Sequence, residues 1–136
     1  MPSIFTRIIN GEIPSYTIAE DEYCYAFLDI NPNAIGHTLC VPKQEVDKLF
    51  DLGEETYLHL MEFAKRIAGA LEQAVPCKRV GMAVVGLEVP HAHIHLIPLN
   101  AVSDINFERP KLNMTPEELA EVAQRIKAAY DKRKSA

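Results

Sequence analysis

Three of the five histidines, His91, His93 and His95, occupy every second position of the apolar segment 89–99. In a β-strand, alternate side chains lie on the same face, about 6.6 Å apart. The spacing therefore predicts three imidazoles on one face, with the small or aliphatic residues Ala92, Ile94 and Leu96 on the other. Buried imidazoles need hydrogen-bond partners and pack no better than aliphatic side chains, so the pattern favours a chemical role.

Two kinds of chemistry fit this arrangement of imidazoles. A His-x-His pair on a strand is a common zinc or iron ligand pair, completed by a further histidine or a carboxylate. Alternatively, an imidazole can attack phosphorus while one neighbour fixes its tautomer and another binds the phosphoryl oxygens. His37 follows Gly36 at the head of a predicted strand and could join either site.

Turn residues and alternating apolar positions predict the strands that position these histidines. Ser3 is the predicted cap of a short helix that Gly11 and Pro14 end. Strands are predicted at 16–21, 24–29, 37–42, 79–86 and 91–99, with turns at 20–22 and 86–90 and a loop at 30–36.

Two longer helices are predicted from helical periodicity and capping signals. The segment 51–75 has one apolar stripe at helical spacing, a capping-box spacing at Asp51 and Glu54, and Pro76 after it. An irregular arm at 100–113 leads to a last helix that opens at Thr115.

This element order predicts an α+β fold with a mostly antiparallel five-stranded sheet, one long helix, and short N-terminal and C-terminal helices. We expect a single domain over 1–136, with a core at about 3–100 and the arm and last helix at 101–136. The 136 residues suffice to bury a core, and their 48% hydrophobic content argues against disorder.

Charge and cysteine content restrict the environment and the partners. The net charge of −5 argues against a nucleic-acid or anionic-membrane binder, although a local pocket could still hold a small anion. Three widely spaced cysteines without a C-x-x-C indicate free thiols in a reducing compartment. The polar N-terminus and the lack of an apolar run of about 20 residues predict a cytoplasmic protein.

The run HAHIHLI fits the pattern His-φ-His-φ-His-φ-φ, in which φ is apolar. Upstream lie IFTRIINGEIP, AFLDINP and GHTLCVPK, in that order. Over about 3–99 the sequence resembles the bacterial branch of the histidine-triad nucleotide-binding proteins.

The resemblance implies a histidine-triad fold and a hydrolase or nucleotidyl transferase that needs no cofactor. It would act on the α-phosphate of nucleoside monophosphate derivatives, such as phosphoramidates or dinucleoside polyphosphates. His93 would be the nucleophile and form a nucleotidyl-histidine, and His95 would face the phosphoryl oxygens. His91 would organise His93 partly through its carbonyl, with His37 behind it.

The same resemblance implies a nucleotide-binding set of Ile4, Phe5, Ile8, Phe27, Asp29 and Ile30. Apolar side chains can sandwich a base, for which we expect a purine, and Asp29 can accept hydrogen bonds from ribose hydroxyls. By composition alone, a cluster of aliphatic and phenylalanine side chains is also typical of a hydrophobic core that binds no ligand.

The sequence departs from the family pattern at two places. The loop before the triad is short: Gly86 stands near the usual asparagine position, and Leu87 and Glu88 replace polar residues. The carboxylate of Glu88 would repel phosphate unless it points away. Some members bind structural zinc through an N-terminal C-x-x-C, where this chain has Ser3 and Thr6, so we expect no metal.

The family resemblance also implies a homodimer formed by the long helix and a strand edge. The apolar strand 79–86 needs cover, and the small residues Ala64, Ala68 and Gly69 would permit close helix packing. Two other functions remain open: a metal-dependent enzyme that uses the histidine cluster, and a nucleotide-binding or sensing protein with low turnover.

Overall fold

Five antiparallel strands and three α-helices form the α+β fold of the computed structural model, which describes residues 2–135, with side chains through residue 134. This confirms the predicted fold class. In chain order the elements are α1 (Ile4–Ile9), β1 (Thr17–Glu20), β2 (Cys24–Leu28), β3 (Thr38–Pro42), α2 (Glu54–Ala74), β4 (Arg79–Ala83), β5 (Ile94–Leu99) and α3 (Pro116–Ser135), with 3-10 turns at Leu49–Asp51 and Val102–Ile105.

The strand that carries His95 lies inside the sheet, whose order is β1-β2-β3-β5-β4. His95 pairs with Leu39 on β3 and with Ala83 on β4. Directly paired residues share a face, and Leu39 is in turn paired with Phe27 on β2. Hydrogen bonding on both sides therefore fixes the backbone of His95.

The two faces of the sheet bury different clusters. Ala92, Ile94 and Leu96 belong to the main core, which α2 and α3 cover. On the opposite face, α1 contributes Phe5 and Ile8 to a second cluster, completed by Tyr25, Phe27, Leu39 and Val41. The predicted apolar back face behind the histidines is therefore present, and the histidines lie on the side of α1.

The predicted strand 91–99 is shorter in the structure, because β5 begins only at Ile94. Before that residue, His91 N–H donates to the carbonyl of Val89 at 2.8 Å, and Ala92 N–H donates to the carbonyl of Val46 at 2.7 Å. These loop partners replace the strand ladder. Likewise, β4 ends at Ala83 rather than at 86.

Two of the three predicted helix caps are present. Ser3 Oγ accepts from Thr6 N–H at 3.0 Å, and Thr115 and Glu118 form a reciprocal capping box at 3.1 and 2.8 Å. The predicted capping box at Asp51 and Glu54 was wrong, because Asp51 lies in a 3-10 turn and α2 starts after Gly53. Burial of Leu49 and Leu52 holds that turn against the core.

One face of the long helix is covered by its own chain. Its predicted stripe is correct in outline, with Leu60, Phe63, Ala64, Ile67, Ala70 and Leu71 buried. A Cβ on Gly69 would come within 2.5 Å of the Arg133 guanidinium of α3. Ala64 is fully buried in the core of its own chain, whereas Gly69 is half-buried beside Arg133. The homodimer stays a prediction. None of the helices within residues 2–135 is long and apolar enough to cross a membrane.

Candidate active site

The structure brings His37, His91, His93 and His95 together as four buried side chains. The ring centroids of His93 and His95 are 4.9 Å apart, and those of His37 and His95 are 5.2 Å apart. Phe5 lies edge-on to His93 at 5.0 Å and to His91 at 5.7 Å. The four predicted catalytic candidates therefore form one cluster below α1.

Hydrogen bonding determines the tautomer of His93. Its Nδ1 lies 2.7 Å from the carbonyl oxygen of His91, and a carbonyl can only accept. Nδ1 therefore carries the proton, and Nε2 of the neutral ring keeps its lone pair. That nitrogen is a candidate nucleophile.

His91 is held at both ring nitrogens. Its Nε2 donates to the carbonyl of Pro42 at 2.8 Å, so Nδ1 of the neutral ring is an acceptor. The Ser3 hydroxyl lies 2.7 Å from that Nδ1 and donates to it. The ring joins the end of β3 to the start of α1, and its own backbone carbonyl is the acceptor for His93.

A second hydrogen-bond chain determines the tautomer of His95. The backbone N–H of Asn33 donates to Nδ1 of His37 at 3.0 Å, so the His37 proton is on Nε2. Nε2 of His37 then donates to Nδ1 of His95, again at 3.0 Å. The remaining proton of neutral His95 is on Nε2, where it can be donated to a ligand oxygen.

Burial favours the neutral form of His37, His93 and His95. It lowers the pKa of His37 to about 3, with further lowering by His95, and the pKa of His95 to about 4, with further lowering by His93. Burial also lowers the pKa of His93, although the bond to the His91 carbonyl opposes this effect. Neutrality is the condition under which the tautomers above hold.

Asp29 is placed where it can bind a polar ligand group near the histidines. Its Oδ1 accepts from Asn31 N–H at 2.9 Å, and its Oδ2 lies 3.7 Å from Nε2 of His37. Burial raises the pKa of this carboxyl, an effect that the Asn31 N–H partly offsets. The side chain is 23% exposed, so a ligand can still reach it.

The predicted apolar binding residues divide into two groups. Phe5, Ile8 and Phe27 are at most 9% exposed and pack together, with the two phenyl rings 5.5 Å apart. Ile4 and Ile30 are 48% and 62% exposed. The buried three therefore act as core below the histidines, and the accessible apolar surface belongs to the two isoleucines.

The short loop before the triad brings a carboxylate towards the site. Glu88 is exposed. Burial dominates the pKa shifts of His93, which is lowered, and of Asp29, which is raised, and the charge of Glu88 adds a smaller raising effect on both, so it lies within electrostatic range of both. Gly86 has a φ of +71°, a left-handed conformation that favours glycine, and a Cβ there would meet no atom within 4 Å. Gly86 thus allows the loop to turn, and Glu88 provides the negative charge of the loop.

The irregular arm contributes residues that the sequence did not identify. Phe107 packs edge-on to His95 at 4.6 Å. Lys111 Nζ donates to Asn33 Oδ1 at 2.5 Å and to the Phe107 carbonyl at 3.0 Å. Asn33 is fully buried, and it links the arm to His37 because its side chain accepts from Lys111 while its backbone N–H donates to His37. Phe107 is the only aromatic residue in 100–113, which was the one available signal.

Within residues 2–135, one group of possible metal ligands has its atoms within 4.8 Å of one another: Asp29, His37 and His95. The hydrogen bonding does not suit a metal ion. Metal-bound histidines normally donate their other ring N–H, whereas Nδ1 of His37 accepts from Asn33. A metal on Nε2 would leave that ring without a proton on either nitrogen.

The zinc position that the family resemblance implies also has an unsuitable donor set. Ser3 and Thr6 provide hydroxyl groups where thiolates would be required, and zinc prefers cysteine, histidine and carboxylate ligands. Both ring nitrogens of His91 already have hydrogen-bond partners. Neither position therefore fits a structural or catalytic metal.

The lowered pKa values predict acid-sensitive stability. Unfolded histidine titrates near 6.5, so the unfolded chain binds more protons than the folded chain as the pH falls from 6.5 towards 3. Stability is therefore fully present above pH 6.5 and is lost below it. From His37 alone, the loss between pH 7 and pH 5 is about 2 kcal/mol. Denaturant unfolding at the two pH values should show a smaller loss for His37→Asn.

The matched control is His59→Asn, which removes a half-exposed histidine on α2. It should keep the parental dependence of unfolding free energy on pH. Equal pH dependence for the parent and His37→Asn would contradict the assignment of a buried neutral imidazole.

Comparisons with known proteins agree with this geometry. Residues 10–102 match the family model described as HIT domain. The chain is 43% identical over 96 residues to adenosine 5′-monophosphoramidase HNT1 of Saccharomyces cerevisiae, covering 70% of this chain and 61% of that protein. It is 30% identical over 129 residues to adenosine 5′-monophosphoramidase hnt1 of Schizosaccharomyces pombe, covering 93% and 96%.

A solved structure has the same fold over almost the whole chain. It is a zinc-bound histidine triad family protein from Mycobacterium smegmatis, with a TM-score of 0.80, 28% identity, and coverage of 97% of this chain and 95% of that one. The zinc is a property of that protein. Together with the family-model match, these identities show that the chain belongs to the HIT family.

Proposed function

We propose that this protein hydrolyses or transfers the nucleotidyl group of nucleoside monophosphate derivatives, with phosphoramidates as the first substrate class to test. The observation that carries the proposal is the 2.7 Å bond from His93 Nδ1 to the His91 carbonyl, which leaves Nε2 available for attack. The two yeast relatives are adenosine 5′-monophosphoramidases, which supports the same substrate class.

The first step forms a covalent intermediate. Nε2 of His93 attacks the α-phosphorus, a P–N bond forms, and the bond to the leaving group breaks. In a phosphoramidate the departing amine takes the bonding electron pair and gains a proton from solvent water, which recovers it when the attacking water of the second step is deprotonated. The ring gains positive charge, which the bond from Nδ1–H to the His91 carbonyl stabilises.

The second step releases the nucleotide. A water molecule attacks the same phosphorus, the P–N bond breaks, and neutral His93 is restored once the water has lost its proton. Throughout, the Nε2 proton of His95 can be donated to a non-bridging phosphoryl oxygen. His37 keeps that proton in place because it donates to the other nitrogen of His95.

The remaining residues of the proposed site would bind the nucleoside. Asp29 would accept hydrogen bonds from the ribose hydroxyls through its partly exposed carboxylate. Ile4 and Ile30 offer apolar surface for the base, and the larger area of a purine would bury more of it. Phe5 and Phe27 would support this surface from below.

The central test of this proposal is His93→Ala. The substitution should abolish turnover of adenosine 5′-phosphoramidate and change the affinity for adenosine monophosphate by only about 1–2 kcal/mol, because the nucleophile acts mainly in the transition state. Steady-state rates and calorimetric titration measure the two quantities. Mass spectrometry of a quenched reaction should find an acid-labile nucleotidyl adduct on the peptide that contains His93.

His59→Ala is the control for loss of a histidine outside the cluster and should retain parental turnover. Parental turnover in His93→Ala would disprove the nucleophile. Turnover that increases with added metal and disappears with a chelator would favour the metal-dependent alternative. Nucleotide binding without turnover in the parent would favour the sensing alternative.

Glu88 should weaken binding of anionic nucleotides. Its charge reaches both His93 and Asp29, and the interaction of one exposed charge is worth about 0.2–1 kcal/mol. Glu88→Gln should therefore lower the Kd for adenosine monophosphate up to about fivefold, with a smaller gain at high salt. Calorimetry at two salt concentrations measures this, with the exposed Glu121→Gln on α3 as control. An unchanged Kd for Glu88→Gln would show that the carboxylate does not face the phosphate.

We also propose that the protein is a homodimer joined at the open edge of β4. Met82 on β4 is exposed, as are Val84, Val85 and Leu87 in the segment that follows the strand, and an exposed apolar edge invites pairing. Light scattering should give twice the chain mass, and Met82→Lys should reduce it to the monomer. The control Val102→Lys changes an exposed apolar residue of the arm and should remain dimeric. A parental mass of one chain at all concentrations would disprove the dimer.

A further inference from the structure

A cluster of polar residues connects α1 to the first histidine of the triad. We propose that Glu45, Ser3 and Thr6 form a positioning device that holds His91 and, through the His91 carbonyl, sets the orientation of His93. This inference deepens the proposed function and rests on it. None of the three residues contacts the reacting atoms in this assignment, so they are positioning residues.

The contacts form a continuous chain. Glu45 Oε1 accepts from the backbone N–H of Ser3 at 2.7 Å and from the Thr6 hydroxyl at 2.6 Å. The Ser3 hydroxyl donates to Nδ1 of His91 at 2.7 Å. The carbonyl of His91 then accepts from Nδ1 of His93 at 2.7 Å. Three short hydrogen bonds, together with the covalent bonds within Ser3 and His91, therefore connect an exposed carboxylate to the candidate nucleophile, and the Thr6 bond is a branch.

The carbonyl of Pro42 can only accept, which fixes one donor direction in this cluster. Nε2 of His91 therefore donates to Pro42, and Nδ1 of the neutral ring accepts from the Ser3 hydroxyl at 2.7 Å, which is shorter than the contacts of Thr6 Oγ1 with Ser3 Oγ at 3.3 Å and with His91 Nδ1 at 3.4 Å. Ser3 Oγ can at the same time accept from Thr6 N–H, which it does at 3.0 Å. The hydrogen bonds hold the pKa of Glu45 below its usual range, the Ser3 N–H first and the Thr6 hydroxyl second, so the carboxylate remains an acceptor.

The cluster contains more than helix capping requires. The bond from Thr6 N–H to Ser3 Oγ is sufficient as a cap for α1. The contacts of Ser3 with His91 and of Glu45 with both α1 residues fix where the helix sits relative to the triad.

The kinetic consequence is a loss in kcat rather than in KM. Without the donor hydroxyl of Ser3 or the acceptor carboxylate of Glu45, His91 gains rotational freedom. Its carbonyl then no longer holds His93 in the tautomer needed for attack. Small misplacements of reacting groups cost up to about a hundredfold in rate. Binding of the nucleotide does not depend on which nitrogen of His93 carries the proton.

The experiment compares conservative and disruptive substitutions on adenosine 5′-phosphoramidate. Ser3→Ala and Glu45→Ala should lower kcat about tenfold or more and leave KM within about threefold. Ser3→Thr retains the hydroxyl group, and Glu45→Gln retains an acceptor oxygen. Each should therefore have most of the kcat that the corresponding alanine variant loses. Ser15→Ala and Glu12→Ala, which lie outside the cluster and are partly exposed, are the matched controls and should keep the parental kcat.

A second readout does not require activity. Nitrogen NMR of the ring of His93 should show Nδ1 protonated in the parent and a mixture of tautomers in Glu45→Ala, which is expected to fold because Glu45 is exposed. An unchanged spectrum, or a parental kcat in Glu45→Ala, would overturn the positioning role. A parent that turns over no phosphoramidate would disprove the proposed function, and the NMR comparison would still decide the positioning role.

Discussion

A neutral imidazole has one N–H and one lone pair, and it is a nucleophile only at the nitrogen without the proton. The bond from Nδ1 of His93 to the carbonyl of His91 decides which nitrogen that is. The reactivity of His93 depends on this contact, and the contact holds only while His91 stays in place. Pro42 at the end of β3 and Ser3 at the start of α1 hold the two ring nitrogens of His91.

Two hydrogen-bond chains therefore end on adjacent rings, one of which offers an acceptor nitrogen and the other a donor N–H. The chain through His91 leaves a lone pair on His93, while the chain from Asn33 through His37 leaves an N–H on His95. The two rings are 4.9 Å apart. A phosphoryl group is complementary to this pair, since it combines an electrophilic phosphorus with anionic oxygens. Burial supports the arrangement because it favours the neutral form of the rings, at a cost in stability that increases in acid.

The sequence allowed the face of the sheet and the membership of the histidine cluster to be predicted, because both follow from local periodicity. Ile94 and Leu96 are buried behind His95 as expected. The start of β5 could not be predicted, because Val46 and Val89, which bind the backbone before it, lie in loops without a pattern. The same reason explains why Asn33, Phe107 and Lys111 were missed: their contacts depend on where the arm passes, and no local signal encodes that path.

Glu88 shows why the departure from the family pattern cannot be judged from ground-state electrostatics alone. In the proposed complex its charge would oppose an incoming phosphate and weaken the bound ground state. Burial lowers the pKa of His93, and the charge of Glu88 partly opposes that lowering, which means that it favours positive charge on that ring. In the proposed reaction the ring becomes positive when the P–N bond forms. Interactions that are stronger in the transition state than in the ground state raise kcat, so a carboxylate at this position can weaken nucleotide binding and still favour the covalent step.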